Sequence, residues 1–253
     1  MSEELQVRVH GDASLPTLIY LPGLHGDWTL VGEFRKQLAG RVRFVEFTYP
    51  RTLVWSLDDY AAAIERLLGQ RGVKCGWLLG ESYGSQILWA LAGRNQFPAQ
   101  GLILAGGFVK HPWPWGVRLM QVLFGRAPFR LLVWSLSGYA SFARFRSRRS
   151  PEVIATINEF VARRTEPDRQ AALHRLDQIA KNDPRKIAGE IRLPVYYLSG
   201  WLDPIVPWSS VQTWLQQNCP SLRECKIIRH SDHNILGTAP RESAQAVLLW
   251  MNQ

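Results

Sequence analysis

Cysteine is scarce. Cys75, Cys219 and Cys225 are the only three in 253 residues, an odd number with no close pairing. They cannot form a disulfide framework, and they point to a reducing compartment. Long apolar runs are missing too. The longest near-uncharged stretch in the middle of the chain, Leu131 to Ala143, is thirteen residues including serines and a glycine. A membrane-spanning helix needs about 20. The opening MSEELQVRVHGD is acidic and lacks the apolar core of a secretion signal, so a cytoplasmic location is expected. No Cys/His cluster has metal-ligand spacing and no glycine-rich phosphate loop occurs, so no cofactor is expected. Repeats and low-complexity linkers are absent. A mix of 46% hydrophobic and 20% charged residues excludes disorder and coiled coil.

One absence is local. Between Ser82 and Pro151 there is no Asp or Glu, yet that span holds nine Lys and Arg residues. The whole formal charge is +9, and the remainder of the chain is balanced at 21 basic and 21 acidic residues. The basicity therefore belongs to one region, and any partner it implies concerns that region.

Short apolar runs alternate with helical patterns. Runs at 5–9, 17–21, 43–47, 76–80, 101–107, 194–200 and 224–229 read as strands, seven in all. Helices are expected near 28–39, 57–69, 83–93, 208–217 and 241–251. Leu57, Tyr60, Ala61, Ile64, Leu67 and Leu68 share one helical face, with Ser56 as N-cap and Gly69 as stop. Such alternation implies an α/β fold with a mostly parallel sheet covered by helices on both faces. It breaks once, from Phe108 to about Ile191. There the sequence reads as helices near 118–123, 129–142, 151–163 and 169–181. The expected organisation is a core of 1–107 and 192–253 with a helical cap inserted at 108–191.

Gly80-Glu81-Ser82-Tyr83-Gly84 follows a strand and opens a helix. This is the setting of a G-x-S-x-G nucleophile elbow, in which a strained turn lifts the serine hydroxyl above the sheet. A chance pentapeptide or an N-cap serine is the plainer alternative. A serine needs a base to take its proton. Asp203, in GWLDPIVP, follows a strand end, where open α/β sheets build their sites. A turn aspartate before proline is its plainer reading. His233, in RHSDHN, lies between the last strand and the last helix. His230 is its rival at the strand end, and Asp232 reads as a solvated loop residue. Cys75 reads as a buried strand residue. His10, His111 and His174 read as surface or packing histidines. The oxyanion of an acyl transfer needs two backbone donors. Tyr83, after the nucleophile, and Leu24, in LPGLHGD, are the candidates.

Taken together, LPGLHGD, GESYG, GWLDPIVP and SDHN resemble the α/β-hydrolase superfamily, specifically its esterase/lipase-like serine hydrolases with a helical cap. The resemblance implies a Ser82–Asp203–His233 triad, an oxyanion hole at Leu24 and Tyr83, and a cap over the pocket. Two departures stand out: Pro22-Gly23 where many relatives have His-Gly, and Ser85 where many have a second glycine. His25, Phe108, Trp113 and Trp115 are candidate pocket residues. The cap's other aromatics (Phe124, Phe129, Trp134, Tyr139, Phe142 and Phe145) alternate with arginines. They read either as cap-to-core packing or as an apolar acyl pocket with a cationic rim for anionic substrates or a lipid surface. Nucleic acid is not expected as a partner.

The activity so implied is hydrolysis of a carboxylic ester or thioester through an acyl-enzyme on Ser82. Acyl transfer through the same intermediate, carbon–carbon bond hydrolysis and peptidase action share the triad. A non-catalytic ligand-binding protein is a different class, against which the complete triad weighs. The sequence does not specify the oligomeric state.

Overall fold

The apolar runs pair into one seven-stranded sheet. The structure is a computed structural model and describes residues 4–126 and 151–253. In chain order the strands are β1 (Gln6–His10), β2 (Thr17–Leu21), β3 (Arg43–Thr48), β4 (Gly76–Glu81), β5 (Ala99–Ala105), β6 (Val195–Gly200) and β7 (Leu222–Ile228). Their spatial order is β1-β3-β2-β4-β5-β6-β7. Only β1 runs antiparallel, against β3, with Val7 opposite Phe47; the other pairings are parallel. Strands β2, β4 and β6 are buried along their whole length, which is why their sequences are almost continuously apolar.

Helices cover both faces. On one lie α1 (Gly32–Leu38) and, from the end of the chain, a helix over Pro240–Met251. Phe34, Leu38, Val247 and Trp250 from these elements pack on Leu18, Tyr20 and Tyr196 of the sheet. On the other lie α2 (Leu57–Gln70) and α3 (Gly84–Arg94), whose Tyr60, Ile64, Ile87 and Trp89 pack on Ile19, Leu78 and Leu104. The N-cap read at Ser56 forms a full capping box with Asp59, an arrangement that satisfies two otherwise orphaned N–H groups and contributes about 1 kcal/mol.

Between β5 and β6 the described residues form α4 (Pro114–Arg126), α5 (Pro151–Ala162), α6 (Glu166–Lys181) and α7 (Arg185–Glu190). The expected helix at 129–142, its aromatics and the arginines from Arg130 to Arg149 lie outside the described residues. Helix α7 escaped the sequence reading because its six residues, RKIAGE, carry no apolar period. After β6 come α8 (Trp208–Asn218), then α9 (Ile235–Thr238) and α10 (Pro240–Met251). Cys75 is exposed rather than buried. It is the last loop residue before β4, whose pairing starts at Gly76. No helix among the described residues is long and apolar enough to cross a membrane.

Candidate active site

Ser82 occupies the turn between β4 and α3 with φ +49°, a left-handed conformation uncommon outside glycine. Holding a serine there costs about 1–3 kcal/mol, so the surroundings must over-determine it. Its N–H donates to the Ala105 carbonyl at the end of β5 (3.0 Å), and its own carbonyl accepts from the Ser85 N–H (3.0 Å). The flanking glycines make the turn possible. A Cβ on Gly84 would lie 2.1 Å from the Leu21 carbonyl oxygen, and one on Gly80 would lie 2.8 Å from the Ser85 Cα. The departure at Ser85 has a structural role. Its hydroxyl lies within hydrogen-bond reach of the Ser82 carbonyl (2.6 Å) and the Phe108 carbonyl (3.0 Å), tying the elbow to the segment after β5.

Three loops bring Ser82, His233 and Asp203 into one chain of hydrogen bonds. His233 Nε2 lies 2.8 Å from Ser82 Oγ, and Nδ1 lies 2.8 Å from Asp203 Oδ2. An ionised carboxylate only accepts, so the imidazole carries its proton on Nδ1 and turns the Nε2 lone pair to the serine. Asp203 is held from its other side: Oδ1 accepts the N–H groups of Ile205 (2.8 Å) and Val206 (2.9 Å), and its side chain is fully buried. The Asp-Pro-Ile-Val turn thus fixes the carboxylate, and the carboxylate fixes the imidazole. Burial pushes the His233 imidazole down. The hydrogen bond and charge of Asp203, with the charges of Glu81 and Asp232, more than reverse this and leave it above the ordinary histidine value.

Asp232 corrects the sequence reading. It is 5% exposed rather than solvated, and it accepts from the Asn234 N–H and the Thr238 hydroxyl. It stabilises the turn that carries His233 into helix α9. His230 is exposed in the turn after β7.

The loop after β2 lies against the elbow. Gly26 N–H bonds the Gly23 carbonyl (2.9 Å), which makes Leu24 and His25 the central residues of a tight turn. A Cβ on Gly23 would meet Ser82 Cβ and the His25 ring at 3.4 Å each, so loop, nucleophile and imidazole meet at one point. The N–H groups of Leu24 and Tyr83 donate to no acceptor among the described residues. Burial holds His25 below the ordinary histidine value, and its buried Nε2 has no partner among the described residues. Behind the turn, Arg164 Nη2 bonds Asp27 Oδ2 at 2.5 Å and stacks on Phe160, which also meets the His25 ring edge-on.

The other expected pocket residues are placed differently from one another. Phe108 is 1% exposed and lies in the core, because its carbonyl is the shared acceptor of Ser85, Gln86 and Trp89. Trp113 and Trp115 are exposed and stack on each other with centroids 5.7 Å apart.

Two further groups lie near these three side chains. Glu81 is a buried carboxylate bonded to the Tyr20 hydroxyl; its place inside GESYG was its only signal. His111 packs edge-on against Phe108, and its Nδ1 accepts the Trp113 N–H at 3.1 Å. Burial, then the charge of His233, holds it at about 4, so it is neutral near pH 7. Of the two alternatives read for it from the sequence, surface or packing, the structure has packing. Among the described residues no group of three or more His, Cys, Asp or Glu could hold a metal ion.

Comparison with known proteins agrees with this geometry at the level of family and fold. Residues 42–240, well over half of the chain, match the family described as alpha/beta hydrolase fold. That range contains Ser82, Asp203 and His233 but leaves out the Pro22–Asp27 loop. Among solved structures, the chain is similar to a thermophilic esterase from Thermogutta terrifontis (TM-score 0.75, 19% identity, covering 98% of this chain and 93% of that one). It is also similar to a hydrolase from Pseudomonas aeruginosa (TM-score 0.81, 15% identity, 98% and 94%). An enol-lactonase from Burkholderia xenovorans is a third (TM-score 0.80, 17% identity, 98% and 96%). At these identities the likeness is one of fold. No curated protein matches the chain significantly.

Proposed function

The chain belongs to the α/β-hydrolase family, and from that premise we propose that it is a serine hydrolase cleaving a carboxylic ester or thioester through an acyl-enzyme on Ser82. The observation that carries this reading is the unbroken Asp203–His233–Ser82 hydrogen-bond chain, with both links at 2.8 Å. Ser82 Oγ attacks the acyl carbon while His233 Nε2 takes the hydroxyl proton. Asp203 stabilises the imidazolium so formed. The N–H groups of Leu24 and Tyr83 receive the oxyanion. As the tetrahedral centre collapses, His233 hands its proton to the departing alcohol or thiol. Water then gives its proton to the same nitrogen and attacks the acyl carbon, and Ser82 recovers its hydroxyl as the acid leaves.

The free cysteines support a reducing, cytoplasmic setting, and helices α4–α7 support reading 108–191 as a helical cap. A fluorophosphonate probe tests the core of the reading. It should label Ser82 in the wild type and leave Ser82→Ala unlabelled. A panel of p-nitrophenyl esters of increasing chain length then reports the acyl preference. A folded wild-type protein that takes up no probe and cleaves no ester or thioester would refute the proposal.

A further inference from the structure

Arg175 on helix α6 is a buried arginine, 2% exposed, that donates to two carbonyl oxygens and lies close to the Tyr60 phenol. Nη1 donates to the Leu24 carbonyl (2.9 Å) and Nη2 to the Pro50 carbonyl (3.2 Å). Among the described residues its buried Nε has no hydrogen-bond partner and no carboxylate forms an ion pair with the guanidinium. The guanidinium lies 5.4 Å from the centre of the Tyr49 ring. The turn is shaped to receive it. Gly26 has φ +77°, and a Cβ there would sit 2.3 Å from Arg175 Nη1. One residue type satisfies both constraints.

Three positions along the same helix, Gln178 accepts the Tyr83 hydroxyl at 2.5 Å and donates to the Trp55 carbonyl at 2.6 Å. Residues three apart share a helix face. One face of α6 therefore grips both residues assigned above to the oxyanion: Leu24 through its carbonyl and Tyr83 through its side chain. The field reaches Tyr83 as well. Burial and Tyr60 raise its phenol, and the charge of Arg175 works against them.

A buried charge with no counter-charge is costly to fold around. Packing alone would be served by a hydrophobic side chain of similar length. We propose that Arg175 is a positioning residue of the oxyanion site. By holding the Leu24 carbonyl it fixes the turn that presents the Leu24 N–H. Its charge, which forms no ion pair among the described residues, favours the negative charge that builds on the acyl oxygen in the transition state. The inference rests on the acyl-enzyme reading and deepens it by assigning part of the rate to a helix outside the sheet.

The test compares wild type, Arg175→Met and Arg175→Lys, using p-nitrophenyl acetate for turnover and phenylboronic acid as a probe that becomes an anionic tetrahedral adduct on Ser82. Arg175→Met should lower kcat about 10²–10³-fold, the scale of losing one oxyanion donor, with KM changed less than about threefold. The boronate should bind at least about tenfold more weakly. Arg175→Lys keeps the charge but cannot span both carbonyls, so it should fall between the two. Wild-type kcat and boronate affinity in both variants, even with a lowered Tm, would reduce Arg175 to a packing role and overturn the proposal. Should Arg175→Met not fold, the lysine variant decides alone, because full activity and full boronate affinity there would overturn it. A wild type that neither reacts with fluorophosphonate nor turns over ester points to a different failure, that of the acyl-enzyme reading itself.

Discussion

Replacing Asp203 with asparagine should stop the chemistry while leaving the fold in place, and the structure says why. Oδ1 of Asp203 accepts two backbone N–H groups, from Ile205 and Val206, at 2.8 and 2.9 Å. In Asp203→Asn, the one remaining oxygen must stay on those donors or leave the N–H of Val206, a fully buried residue, unpaired, which costs about 1–3 kcal/mol. The new NH₂ then faces His233 Nδ1. A donor there forces the imidazole to carry its proton on Nε2, and Nε2–H points at Ser82 Oγ, so the base becomes a donor. The expected loss in kcat is about 10⁴-fold, or roughly 5.4 kcal/mol at 1.36 kcal/mol per decade.

The pH dependence should move as well. In the wild type, activity should rise with pH as His233 loses its proton, at a pH above the ordinary histidine value, because Asp203 together with Glu81 and Asp232 outweighs burial. The raised pKa also means that the stability contributed by the imidazolium is present at low pH and is lost as pH rises through that pKa. Without the carboxylate, burial is opposed only by Glu81 and Asp232, so residual activity should titrate at lower pH. Stopped-flow p-nitrophenyl ester hydrolysis from pH 5 to 9, with Tm measured beside it, makes the check. An asparagine variant retaining more than about a tenth of wild-type kcat, or one that unfolds outright, would refute this account.

Other expectations follow from the same geometry. Ser82→Gly should abolish ester turnover yet raise stability by up to about 1 kcal/mol, because glycine relieves the φ +49° strain while costing some unfolded-state entropy; chemical denaturation reads this out, and a loss of stability would contradict it. Gly84→Ala places a methyl 2.1 Å from the Leu21 carbonyl oxygen and should cost about 3 kcal/mol or more along with most activity; a Tm equal to wild type would show the loop after β2 free to yield. Burial opposes ionisation of Asp27, but His25 and the Arg164 guanidinium hold it well below the usual carboxylate range. Its contribution is therefore complete above about pH 4 and lost as pH falls towards its folded value. Arg164→Met should cost about 3–5 kcal/mol near pH 7 and flatten that acid limb, as urea titrations at stepped pH would reveal.

Most of the sheet was legible, and so were the three side chains that the structure joins in one hydrogen-bond chain, because both rest on local signals. Continuous apolar runs such as TLIYL and GWLLG mark doubly covered strands, and a glycine-flanked serine between strand and helix marks the elbow. Asp203 and His233 could be assigned because each follows a strand end in the expected chain order. Burial at single loop positions was less accessible. Asp232 reads as solvated because its partners, Asn234 and Thr238, are the N-cap and last residue of a short helix with no periodic signal. Cys75 looked buried because it adjoins a strand by sequence, although the pairing starts one residue later. The roles of Arg175 and Gln178 could not be read at all. They depend on a helix some 90 to 150 residues away from the loops it touches, and no spacing rule connects those segments.

The attachment of α6 to the loops on either side of Ser82 bears on how this scaffold can be re-engineered. Exchanging the segment between β5 and β6 for that of another hydrolase is a natural route to altered selectivity with catalytic power spared. Here the exchanged piece would take with it a clamp on the reaction centre, so selectivity and speed are not independently adjustable. A graft would have to reproduce that clamp at the same depth, or the recipient would recognise new substrates and process them slowly.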